Sequence, residues 1–85
     1  MNSRLPDLTE KEIRRLCSEY PKNKELIDDA LEEALDPGII KPMLRDLASG
    51  HGYANSSIYY MCETSYKKEK FRAKLCLAQR FGLAI

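Results

Sequence analysis

With 85 residues, 44% apolar and 32% charged, the chain can build one hydrophobic core but not two, and it is too apolar to remain disordered. No run approaches the roughly 18 to 20 apolar residues of a membrane span. The charged opening, Met1 to Arg15, also lacks the apolar stretch of a secretory signal, so a cytoplasmic, non-membrane protein is expected. The net charge of +1 is unevenly spread: residues 1–40 carry six Lys and Arg against ten Asp and Glu, and residues 41–85 carry eight against three. An acidic half and a basic half are suited to different contacts, or to each other.

In chain order, Pro6-Asp7 leads into a first amphipathic segment, where Thr9 and Glu12 have the spacing of a capping box. Ile13, Leu16, Cys17 and Tyr20 recur at helical spacing, and Pro21 is expected to end the segment. A second helix is expected from about Asn23. It places Ile27, Ala30, Leu31 and Ala34 on one face, with Leu26 and Leu35 widening the stripe, and stops at Asp36-Pro37-Gly38. These two helices form an acidic pair over 9–36, with Asp28, Asp29, Glu32 and Glu33 on the outer face. A third helix follows Lys41, with Pro42 in its first turn and Met43, Leu44 and Leu47 inward. A break at Ser49-Gly50-His51-Gly52 then precedes a short helix, expected from Ala54–Ser56 to about Cys62. A basic helix over 65–81 places Phe71, Leu75, Ala78 and Phe81 at helical spacing, with Gly82 as its stop. No period-2 pattern persists, so the fold class is all-α, a single domain of four or five short helices. Cys17, Cys62 and Cys76 are odd in number and far apart, and are expected to be buried free thiols.

The segment Leu44–Glu63 has a rhythm of its own. Leu44, Leu47 and Ala48 give one apolar face, Gly50 and Gly52 break it, and Ile58 and Met61 begin another. Gly52 is expected to take the positive φ of a tight interhelical turn. Over these twenty residues the chain resembles the helix-turn-helix of DNA-binding proteins, within a unit spanning 41–63. The resemblance implies double-stranded DNA as partner, a homodimer on paired half-sites, and a role in transcription regulation. It implies base contacts from Asn55, Ser56, Tyr59 and Tyr60, with Ile58 and Met61 turned inward. Lys41, Arg45, Lys67, Lys68, Lys70, Arg72 and Lys74 would hold the phosphate backbone.

Catalytic and metal chemistry find no support in the residues. His51 is the sole histidine and lies between two glycines, no CxxC or HxxxH pair is present, and Gly50-His51-Gly52 lacks the Lys-Ser/Thr of a phosphate loop. His51 is expected to pack as a turn residue. A non-enzymatic protein without cofactor or metal is therefore expected. The rival to DNA binding is a helical protein-interaction module docking a partner protein through an apolar groove around Tyr59, Tyr60 and Leu83. The apolar end Phe81-Gly82-Leu83-Ala84-Ile85 either packs on the core, the preferred reading, or is a docking patch.

Overall fold

A computed structural model describes residues 5–56, 58 and 61–85. Helix α1 (Asp7–Ser18) begins directly after Pro6, with Asp7 and Glu10 in its first turn, where acidic groups complement the helix dipole. Because the helix opens two residues before Thr9, the expected capping box does not form. Thr9 is buried instead, and its hydroxyl donates to the Ala84 carbonyl at 2.7 Å, while Glu12 accepts from Arg15. Ile13, Leu16 and Cys17 form the buried face.

Pro21 does not end this helix but opens the next, α2 (Tyr20–Ala34), where its fixed φ suits a first turn. Regular helix resumes after a kink at Asn23 (φ −114°, ψ 18°), close to the start read from sequence. The Asn23 amide donates to the carbonyls of Leu16 and Glu19, both at 3.2 Å, adding a side-chain donor to two acceptors that the backbone N–H groups of Glu19 and Lys22 also reach at the end of α1. Ile27, Ala30, Leu31 and Ala34 are buried as the periodicity predicts, but Leu26 stands 43% exposed.

A 3₁₀ turn (Pro37–Ile39) leads into α3 (Ile40–Ser49), which buries Met43, Asp46 and Leu47. The left-handed residue after it is Gly50 (φ 76°), not Gly52, whose backbone is ordinary and extended (φ −92°, ψ −171°). The N–H groups of Gly50 and His51 both donate to the Asp46 carbonyl. The described residues of the stretch 54–62 do not form the expected short helix: they hold only a 3₁₀ turn at Tyr53–Asn55, and Ser56 is extended. Asn55 and Ser56 are weak helix formers, and tertiary contacts hold the stretch instead. The Tyr53 hydroxyl donates to the Met61 carbonyl at 2.8 Å, and its ring lies 5.5 Å from that of Tyr66. Ile58 is fully buried and Met61 packs on the core, although neither residue is itself helical.

Helix α4 (Glu63–Phe81) is continuous and ends at Gly82 (φ 68°), where the Leu83 N–H reaches back to the Ala78 carbonyl. Its buried residues are Tyr66, Ala73, Leu77 and Ala78; Phe71, Leu75 and Phe81 are only half-buried. Two long interfaces organise the all-α domain, α1 against α3 and α2 against α4. Ile13, Ile27, Leu31, Met43, Ile58 and Leu77 fill its centre, each contributing about 1.5–3 kcal/mol by leaving water. Among the described residues there is no strand, and no helix is long and apolar enough to cross a membrane. Of the three free cysteines only Cys17 is buried; Cys76 is half-buried and Cys62 exposed, a correction to the sequence expectation. His51 is likewise exposed rather than packed.

Candidate functional site

Where α1, the end of α3 and α4 meet, a cleft of about 230 Å³ opens to solvent. Lys11 and Arg14, one turn apart on α1, line one wall, and Lys70 and Lys74, one turn apart on α4, line the other. Gly50 sits between them. A β-carbon at this position would lie 2.9 Å from Cζ of Arg14, so the guanidinium rests where any other residue would place its side chain.

The floor is built from an unusual element of the sequence, a carboxylate in the apolar stripe of α3. Asp46 is fully buried, and its Oδ2 accepts a 2.8 Å hydrogen bond from the Tyr66 hydroxyl. Burial, and then Asp46 itself, push that hydroxyl above its ordinary pKa, so Tyr66 remains a donor. The Lys70 ammonium lies 5.5 Å from the centre of the Tyr66 ring and donates to the His51 carbonyl. Desolvation, followed by the like charge of Lys74, lowers the Lys70 pKa, while Asp46 and Glu10 act in the opposite sense. Lys74 meets both carboxylate oxygens of Glu10, at 2.7 and 3.0 Å. Four cations and two carboxylates thus line the cleft, a surplus of two positive charges.

The residues named from sequence are dispersed by this architecture. Lys70 and Lys74 turn into the cleft, half-buried. Lys67, Lys68 and Arg72 are exposed, with Lys67 on Glu63 at 3.0 Å and Arg72 on Glu69 at 3.6 Å. On the helix, Lys68 and Arg72 project to a different side from Lys70 and Lys74, so the five cations share no single face. Lys41 and Arg45 are exposed on the outer side of α3, with no carboxylate within ion-pair distance among the described residues. Asn55 is exposed in the 3₁₀ turn and Ser56 half-buried, while Tyr59 and Tyr60 lie outside the described residues.

Lys11 and Arg14 escape a reading by charge balance because they belong to the half of the chain that is acidic in sum. Their signal is local: two cations one turn apart beside the stripe of Ile13 and Cys17. Asp46 has a signal as well, since it falls in register with Met43 and Leu47. Among the described residues no group of three His, Cys, Asp or Glu side chains could hold a metal ion. Comparison with protein-family models, with curated proteins and with solved structures returns no match for this chain.

Proposed function

We propose that this chain is a small, non-catalytic nucleic-acid-binding protein that grips phosphate groups in the α1–α4 cleft rather than through a recognition helix. The observation that carries the reading is the convergence of Lys11, Arg14, Lys70 and Lys74 on one cleft that holds only two carboxylates. Phosphate contacts dominate the affinity of such proteins and need cations rather than any particular secondary structure. Lys41, Arg45 and Lys68, exposed elsewhere and without carboxylate partners among the described residues, add to the attraction. A regulatory role on double-stranded DNA, and a homodimer to extend the interface, belong to the same proposal.

The test is fluorescence anisotropy on random-sequence duplex and single-stranded DNA across a salt series. The wild type should bind more weakly as salt rises. Lys11→Gln with Arg14→Gln should lower the slope of log affinity against log salt by about 1 for each phosphate group that is no longer neutralised. Asn55→Ala should be silent here, whereas a recognition helix would make it relax specificity. An unchanged slope in the double variant would remove the cleft from the reading.

A second reading, a protein-interaction module, is favoured by one apolar feature. The Thr9–Ala84 hydrogen bond brings the C-terminal residues beside the start of α1, where Leu8 is 80% and Ile85 62% exposed. Absence of DNA binding at low salt would favour it.

A further inference from the structure

The arrangement of the cleft bears on the kind of phosphate it takes, an inference that rests on the nucleic-acid reading but can fail separately from it. A phosphodiester strand running across a protein meets cations spaced along its path, each facing one singly charged group. Here the cations come from two opposed walls and meet over one floor, with Arg14 set against the bare Cα of Gly50. The surplus of two positive charges is concentrated in about 230 Å³. A singly charged diester leaves half of that surplus standing, whereas a phosphate monoester above its second pKa of about 6 carries close to two negative charges and three terminal oxygens. Three oxygens can accept from both walls at once, with the guanidinium offering a planar pair of donors.

We infer that the α1–α4 cleft is a site for a dianionic phosphate monoester, the chemistry of a nucleic-acid terminus or of a free nucleotide, gripped by Arg14 and Lys11 from one wall and Lys70 from the other. Lys74 helps set the potential while its ammonium stays on Glu10. Desolvation first, and then the like charge of Lys74, disfavour the Lys70 ammonium, and a bound dianion would offset both.

The probes are methyl phosphate and dimethyl phosphate, titrated into the whole chain at about pH 8 and followed by amide chemical shifts, then 5′-phosphorylated and unphosphorylated forms of one oligonucleotide. Methyl phosphate should bind at least about tenfold more tightly than dimethyl phosphate and shift the amides of Gly50 and His51. Arg14→Gln and Lys70→Gln should each abolish that preference, while Lys68→Gln, on another side of α4, should retain it. Equal binding of the two esters would overturn the inference, as would shifts confined to residues outside the cleft. Oligonucleotide binding that ignores the terminal phosphate would overturn it too, yet leave the nucleic-acid reading intact. The converse, a monoester preference without affinity for either oligonucleotide, would uphold the site and refute nucleic acid as its ligand.

Discussion

Replacing Tyr66 by Phe removes one oxygen and tests the link between α3 and α4. The ring stays in place against Tyr53, and what is removed is the 2.8 Å hydrogen bond to the Asp46 carboxylate, which is fully buried. A hydrogen bond to a charged group contributes about 1.5–3 kcal/mol, and a buried acceptor cannot recover the difference from water. At about 2.1 cal/mol/K per residue, an 85-residue domain unfolds with an entropy of about 0.18 kcal/mol/K, so a loss of about 2 kcal/mol lowers Tm by about 11 °C. That is a large share of a total stability of about 4–13 kcal/mol for a chain of this size. Thermal and urea unfolding by circular dichroism would read it. In an Asp46→Ala background the same substitution should cost nearly nothing, since the acceptor is already gone. Equal losses in the two backgrounds, or a wild-type loss below about 0.5 kcal/mol, would refute the argument that this bond carries the link.

Other outcomes follow from the same structure. Gly50→Ala should cost about 1–2 kcal/mol, from the left-handed backbone and the displaced Arg14, whereas Gly52→Ala, with nothing within 4 Å of its β-carbon, should be nearly neutral by urea melts. The Cys17 thiol, pushed by burial from 9.0 up to about 12, contributes stability that is whole below pH 9.0 and lost as pH rises toward 12, because the unfolded chain releases its proton first. At about pH 10 the loss should be about 1.4 kcal/mol, and Cys17→Ala should remove that part of the slope. Lys70 acts in the opposite sense and Tyr66 in the same one, so variant and wild type must be compared at each pH. Thr9→Val should cost about 0.5–1.5 kcal/mol and speed carboxypeptidase trimming of Leu83 to Ile85, since the hydroxyl holds Ala84.

Apolar periodicity makes the helices legible. Ile27, Ala30, Leu31 and Ala34 are buried because a 3.6-residue repeat needs only one large surface to pack against, and α4 provides it for α2. Pro42 in a first turn and Gly82 as a stop are readable for the same local reason. Reading fails where a distant group decides the outcome. Thr9 has the look of a cap until Ala84, at the other end of the chain, claims its hydroxyl. Ile58 and Met61 keep helical spacing in a stretch whose described part is not α-helical, because burial fixes which side chains turn inward and not how the backbone gets them there. The α4 stripe misleads because that helix touches α2, α1 and the 53–55 turn on different sides, which blurs a single periodicity. The cleft is the least legible feature, since its cations lie about sixty residues apart in a chain whose net charge is near zero.

The order in which the helices pair has a consequence for how the protein opens. Each long interface joins elements that are not successive, α1 with α3 and α2 with α4, so the chain crosses from one pair to the other at every connection. A bundle of helical hairpins can shed one hairpin and keep the other. An interleaved bundle cannot, because peeling away any helix strips the partner of a second. Hydrogen exchange should therefore show the cores of all four helices protected to one common free energy, with only the residues near 50–56 and the chain ends exchanging by smaller excursions. The α1–α4 cleft, whose walls belong to different pairs, would then vanish and reappear with the fold as a whole rather than flicker on its own.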